Sequence, residues 1–316
     1  MELPGSLGPY RLLRRLGHGG MAEVFLAEAY GASGFEKRVA LKTLLPELQG
    51  DGEYERILVA EARLGARLTH RNLVQVHDLG AARGTYYVRM DYIDGADLDS
   101  LLRGRRGVEE ARPMPPPLAL RVACEVCEAL AYLHRVTDDD GHPLGLVHRD
   151  VSPSNILVSR DGEVKLADYG IAKATLRRED TRGGVARGKY AYMSPEQAVG
   201  GALTARSDQF GLGVTLCEML TGRRPFDGAT PLDTLDRVRE ALPPALPELD
   251  QGLRAIALRC FQRDPAARYP RTEDLSAALD EARRALGASP TEALAAWVGA
   301  RLAERAGLAH VENPEP

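Results

Sequence analysis

Leu146-Val147-His148-Arg149-Asp150-Val151-Ser152-Pro153-Ser154-Asn155-Ile156-Leu157-Val158 is the stretch on which the reading of this chain turns. Apolar residues at both ends predict two strands, and the polar middle predicts a loop between them. The loop carries a carboxylate, Asp150, and an amide, Asn155. A second turn, Leu166-Ala167-Asp168-Tyr169-Gly170, adds another carboxylate. Oxygen donors of this kind suit a hard divalent cation. Asp168 can bind Mg²⁺, Asn155 can add a neutral oxygen, and Asp150 can accept a proton from a hydroxyl. A solvated surface loop would look the same in isolation, so the weight falls on the segments around it.

Near the start, a strand opening at Tyr10 leads into Gly17-His18-Gly19-Gly20-Met21-Ala22-Glu23-Val24-Phe25-Leu26-Ala27. Apolar alternation on both sides of the glycines predicts a hairpin whose tip lets backbone N–H groups approach a phosphate. Val39-Ala40-Leu41-Lys42-Thr43 predicts a buried strand in which Lys42 needs a partner. Ile57, Leu58, Leu64 and Leu68 recur at helical spacing over residues 53–69, and Glu61 lies among them. Strands are predicted from Gln75 to Leu79 and from Tyr86 to Tyr92, a loop from Arg103 to Pro117, and an apolar helix from Leu118 to His134.

Taken together, these segments resemble protein kinases. His148-Arg149-Asp150 with Asn155 looks like H-R-D-x-x-x-x-N, and Asp168-Tyr169-Gly170 looks like D-F-G. The glycine run is similar to G-x-G-x-x-G-x-V, with Ala22 at the third glycine, and Lys42 matches the lysine of V-A-I-K. His70-Arg71-Asn72-Leu73-Val74 resembles the end of helix C and aligns Glu61 with its glutamate. Gly188-Lys189-Tyr190-Ala191-Tyr192-Met193-Ser194-Pro195-Glu196-Gln197 resembles G-T-x-x-Y-M-A-P-E, the end of an activation segment, and Asp264-Pro265 with Arg268 resembles D-P-x-x-R.

The resemblance implies an α+β, two-lobed protein kinase fold, with a small β-rich N-lobe containing helix C and a larger, mostly helical C-lobe. The segments read as an N-terminal tail at 1–9, a kinase domain at 10–285 (N-lobe 10–92, hinge and C-lobe 93–285), and a C-terminal helix with a frayed tail at 286–316. ATP would lie against Leu16, Gly17, His18, Gly19, Gly20, Met21, Ala22, Val24, Ala40, Lys42, Glu61, Met90, Asp91, Ile93, Asp97 and Leu157. Met90 would control access behind the adenine, the backbone of Asp91 and Ile93 would bond its edge, and Asp97 would face the ribose. Asn155 and Asp168 would hold Mg²⁺, and Asp150 and Lys42 would be catalytic. Glu196 would pair with Arg268. Asp208, at a helix start where it can cap backbone N–H groups, would brace the catalytic loop.

Three departures bear on activity. Ser152 stands where kinases acting on Ser or Thr carry Lys, Lys189 stands where Thr is usual, and Tyr169 replaces Phe. A cation near the transferring group offsets charge in the transition state, and such charge stabilisation is commonly the largest catalytic term. Lys189 is therefore expected to supply the charge missing at Ser152. Arg149 suggests an activation segment ordered by phosphorylation, with Thr181, or less well Thr175, as the acceptor. The function implied is a serine/threonine protein kinase moving the ATP γ-phosphoryl group to protein hydroxyls, regulated by autophosphorylation. The alternative is a pseudokinase scaffold that binds ATP and signals by conformation. A small-molecule phosphotransferase is disfavoured by Glu196 and Arg268.

The bulk properties agree. The 316 residues, 44% apolar and 27% charged, suit a globular chain with a sizeable core. A net charge of -4 gives no sign of a nucleic-acid partner. No apolar run predicts a membrane span and the N-terminus lacks the pattern of a signal peptide, so the chain is expected to be cytoplasmic. Cys124 and Cys127 form a C-x-x-C inside an apolar helix, which reads as core, not as a metal site. Ser289-Pro290-Thr291-Glu292 opens a last helix whose Leu294, Trp297, Val298 and Leu302 share a face. That face either packs on the large lobe or docks a partner.

Overall fold

The computed structural model describes residues 5–30, 36–103, 111–168, 189–243, 245–287 and 291–312, with side chains up to 307 in the last segment. They divide into two compact units, meeting in sequence between Tyr92 and Ile93.

The first unit is an antiparallel sheet with one helix. Its strands are β1 (Gly5–Leu7), β2 (Tyr10–His18), β3 (Ala22–Tyr30), β4 (Glu36–Leu44), β5 (Val76–Ala82) and β6 (Thr85–Asp91), in the order β1-β2-β3-β4-β6-β5. Side chains alternate between the faces of a strand. One face of β2, β3 and β4 therefore collects Leu12, Phe25, Ala27, Val39 and Leu41, which pack with Leu7, Tyr10 and Tyr87. Tyr10 meets Tyr87 edge-on at 5.6 Å between ring centres. Gly5–Leu7 falls within the segment read as a tail, yet it pairs with Tyr10–Leu12, and Leu7 is buried. The single apolar side chain of so short a strand gave no readable period. Helix α1 (Gly52–Arg67) is capped by Asp51, which accepts from the Glu53 N–H, and it buries Ile57, Leu58 and Ala62.

In the second unit, β7 (Gly95–Asp97), β8 (Ile156–Ser159) and β9 (Val164–Leu166) form a small antiparallel sheet. Around it are α2 (Leu98–Arg103), α3 (Pro116–Arg135), α4 (Pro195–Ala198), α5 (Ala205–Thr221), α6 (Pro231–Glu240), α7 (Gln251–Cys260), α8 (Thr272–Ala285) and α9 (Thr291–Glu312). Helix α5 is buried on every side from Ser207 to Met219, so it is the post around which the others pack. Phe210 stacks on Phe226 at 5.3 Å, and Phe261 closes the aromatic cluster. Helix α3 packs chiefly on α8 and α5.

Several expectations need correction. Leu146 and Val147 form no strand; only the Ile156 side of that stretch is one. The loop expected from Arg103 to Pro117 is not simply surface. Arg103 ends α2, and Ala111 and Met114 are buried, their N–H groups donating to the carbonyls of Gly222 and Met219. All four cysteines are free and buried, and burial pushes the Cys124 thiol up to about 12.

Helix α9 packs on its own unit through Leu294 and Val298, both fully buried, and through Arg301, 6% exposed. The guanidinium of Arg301 donates to the carbonyls of Leu101 (2.7 Å) and Leu102 (3.1 Å), which satisfies the end of α2. Gly162 has φ +80°, and a Cβ there would lie 2.7 Å from the Thr291 carbonyl, so the β8–β9 turn needs glycine where α9 begins. Because α9 fills part of the core, Leu294→Ala is expected to destabilise the protein by about 2–5 kcal/mol. Urea unfolding at neutral pH would measure the loss, and an unchanged midpoint would mean that α9 is dispensable.

Candidate active site

In the first unit, strand β4 carries Lys42 between Val24 of β3 and Val88 of β6. Its ammonium donates to Glu61 Oε1 at 2.6 Å, with both side chains about nine-tenths buried (9% and 12% exposed). The strand supplies the lysine and the exposed-to-buried edge of α1 supplies the glutamate. The lysine that looked awkward in an apolar strand is thus paired. The glycine tip links β2 and β3 through a Gly19 N–H to Ala22 carbonyl bond of 2.8 Å. A Cβ built at Gly17 meets nothing within 4 Å, so the glycine there leaves open space instead of serving an unusual backbone angle. Leu16, Val24 and Met90 are half-buried and Ala22 and Ala40 are buried; His18, Gly19 and Gly20 are exposed.

Two of the residues expected near a nucleotide have other partners. Asp91 donates its N–H to the Gln75 carbonyl, and its carboxylate meets His77 Nε2 at 2.6 Å. Asp97 accepts from both the N–H and the hydroxyl of Ser100, at 2.8 and 2.7 Å, and so caps α2. Ile93 begins the second unit.

In that second unit the loop before β8 holds the candidate residues His148, Asp150 and Asn155. His148 is 1% exposed; its Nε2 donates to the Ala167 carbonyl (3.0 Å) and its Nδ1 accepts the Asp150 N–H (3.3 Å). Those two partners define the tautomer. Asn155 donates through Nδ2 to the Asp150 carbonyl at 2.7 Å, which turns its amide oxygen the other way. The Ala167 N–H donates to the Asn155 carbonyl at 2.8 Å, extending the β8–β9 pairing. Asn155 and Asp168 therefore sit at the same end of that hairpin. Asp168 is exposed and has φ +54°. An amide oxygen and an exposed carboxylate at one end of a hairpin are donor types that fit a divalent cation. Leu157, in β8, pairs with Asp97 and Lys165.

Lys189 reaches Asp150: its Nζ lies 3.2 Å from Oδ2, with the lysine 42% and the aspartate 10% exposed. Ser152 is 2% exposed, and its hydroxyl meets that of Ser154 at 3.0 Å. Arg149 adopts φ +68°, and its buried Nε has no hydrogen-bond partner among the described residues. Tyr169, Thr175 and Thr181 lie outside the described residues.

Asp208 holds the loop but does not cap its helix. Thr204 and Ser207 form the cap of α5. The Asp208 carboxylate lies one position further in and accepts from the His148 N–H, the Arg149 N–H and His134 Nε2, each at 2.8 Å. Gly211, on the same helix, faces the loop: a Cβ there would stand 2.9 Å from the Val151 carbonyl. Arg268, fully buried, grips both oxygens of Glu196 at 2.8 Å and also donates to the Arg206 and Gln262 carbonyls.

A buried group went unread in the sequence. Glu218, 1% exposed, accepts from the Tyr192 hydroxyl and from Arg103. Burial raises its carboxyl pKa although Tyr192 and Arg103 oppose the rise. The available signal was a lone carboxylate in the apolar run from Gly211 to Met219.

A family model described as protein tyrosine and serine/threonine kinase matches residues 10–279. Tyrosine-protein kinase MasK of Myxococcus xanthus is 44% identical over 279 residues, 86% of this chain and 43% of MasK. Serine/threonine-protein kinase PrkC of Bacillus subtilis is 34% identical, covering 87% of this chain and 40% of PrkC. The chain thus spans less than half the length of these relatives. A crystal structure of the Mycobacterium tuberculosis PknI kinase domain superposes with a TM-score of 0.63 at 27% identity, covering 89% of this chain and 98% of that one.

Burial pushes the Glu196 carboxyl up, but the hydrogen bonds and charge of Arg268 outweigh burial and hold it below its ordinary 4.5. A depressed folded-state value means the clamp stabilises fully above that ordinary pKa and weakens as pH falls through the lower one. Glu196→Gln leaves the Arg268 charge uncompensated and is expected to lose about 3–5 kcal/mol at pH 7. In thermal melts, its deficit against the parent protein should shrink below pH 4.5. A deficit that stays constant into acid would contradict the charged clamp.

Proposed function

We propose that this chain, which belongs to the protein tyrosine and serine/threonine kinase family, transfers the γ-phosphoryl group of ATP to serine and threonine hydroxyls of proteins. The family uses ATP and a divalent metal, and here the metal is read as Mg²⁺. The observation that carries an active enzyme over a conformational scaffold is the Lys189 ammonium 3.2 Å from Asp150. A cation stands beside the very carboxylate whose loop has Ser152 in place of lysine.

The chemistry follows from the residues. Lys42, aimed by Glu61, offers a fixed positive charge to the α- and β-phosphates, and the backbone N–H groups of the glycine tip offer donors to the phosphate oxygens. Asn155 and Asp168 would hold Mg²⁺, which when bound offsets the negative charge of the phosphates. Asp150 accepts a hydrogen bond from the acceptor hydroxyl and takes its proton. The hydroxyl oxygen bonds to the γ-phosphorus as the bond from that phosphorus to the β–γ bridging oxygen breaks, and ADP leaves. Lys189 offsets charge as it builds beside Asp150.

Regulation by autophosphorylation, at Thr181 or Thr175, is part of the proposal. Its support is Arg149, whose buried Nε has no partner among the described residues and could engage a phosphate oxygen. The kinase domain is taken as residues 10–285. Among the described residues no helix is long and apolar enough to cross a membrane. A cytoplasmic site of action fits the free, buried cysteines.

A second reading, transfer to tyrosine, is favoured by Ser152 and by the name of MasK, a tyrosine-protein kinase. Phosphoamino-acid analysis after reaction with labelled ATP decides between them. Label on serine or threonine is expected, and label confined to tyrosine would replace the first reading. Asp150→Asn should abolish transfer. Lys189→Ala should lower kcat by about 100-fold while Lys189→Arg retains more. Near-parental turnover in Lys189→Ala would dismiss its proposed role.

A further inference from the structure

The peptide that carries Asp150 is held by a residue outside the catalytic loop. Arg149, just before it, lies in the left-handed region at φ +68°, a conformation that side chains other than glycine adopt only when their surroundings hold them there. Its N–H is fixed by Asp208. Its carbonyl accepts from Gln197 Nε2 at 2.9 Å. That carbonyl belongs to the Arg149–Asp150 peptide, whose N–H is directed at His148 Nδ1. The plane of this one peptide is thus set by a side chain at each end, and the direction of the Asp150 side chain follows from it.

Gln197 is itself tightly placed. It lies in the four-residue helix α4, where its N–H donates to the Ser194 side chain at 3.3 Å. Its neighbour Glu196 is gripped by Arg268, which is fully buried. The amide at the tip of Gln197 is therefore the end of a rigid chain running from Arg268 through Glu196 to the Asp150 peptide.

We infer that Gln197 is a positioning residue for the general base, coupling the fixed segment around Glu196 to the orientation of Asp150. The inference rests on the kinase reading for its catalytic meaning, but its structural part can be tested alone. Gln197→Met keeps the length of the side chain and removes the donor; Gln197→Glu keeps the shape and presents an oxygen to a carbonyl. Both are expected to lower kcat about tenfold or more, with KM for ATP and for the acceptor protein little changed and the melting temperature close to that of the parent. A merely structural residue would move the melting temperature with the rate, and a substrate-binding residue would move KM.

The independent readout is nuclear magnetic resonance of the protein labelled with ¹⁵N. Loss of the donor on the Arg149 carbonyl should shift the Asp150 amide nitrogen, since both belong to one peptide unit. That shift needs no turnover, so it survives a failure of the kinase reading. An unmoved Asp150 resonance in Gln197→Met, or a kcat within twofold of the parent, would overturn the inference.

Discussion

A buried carboxylate, Asp208, is the constraint on which the rest of the second unit depends. It is 2% exposed, and its two oxygens accept from a histidine and from two consecutive backbone N–H groups. Burying a carboxylate is unfavourable unless donors replace the lost water. Here the replacement has a consequence beyond satisfaction. The two backbone donors belong to His148 and Arg149, so compensating the charge fixes the loop that presents Asp150. Helix α5 provides the rigid mount, because it is buried on all sides. Gly211 on that helix allows the loop to lie against it without a methyl group in the way.

The ion pairs differ in what they can do because they differ in burial. Arg268 with Glu196 has a fully buried guanidinium and two matched bonds, the geometry in which a charge pair specifies a unique arrangement. Lys42 with Glu61 is nearly as enclosed and fixes the direction of a flexible side chain. Lys189, 42% exposed, is screened by water in its contact with Asp150. A contact of that kind contributes little to stability. What it does is place a cation 3.2 Å from the Asp150 carboxylate.

Tyr192, Glu218 and Arg103 show a different use of burial. Burial drives the Tyr192 hydroxyl well above its ordinary value, so it is a lasting donor to Glu218. Arg103 at the end of α2 meets the same carboxylate, and Arg301 of α9 satisfies the carbonyls at that end of α2. A chain of polar contacts thus runs from the last described helix to the segment beside Lys189. Each link is a group that would be costly to bury alone.

The sequence by itself determined five of the six strands and the helix of the first unit, the need of Lys42 for a partner, and, through motifs that resemble protein kinases, the pairing of Arg268 with Glu196 and the family. Those features rest on local periodicity and on short motifs whose residue types are needed for one chemistry. Tertiary structure alone decided the rest. Gly5–Leu7 became a strand because β2 offers it an edge. Asp208 does not cap because it lies inside the helix that Thr204 caps, where its carboxylate meets the loop backbone. Gln197, Glu218 and Arg301 carry no motif, since what makes them matter is a carbonyl or a charge brought close from a distant part of the chain. A linear pattern records what a residue is, and only the folded chain determines which partner a buried polar group must find.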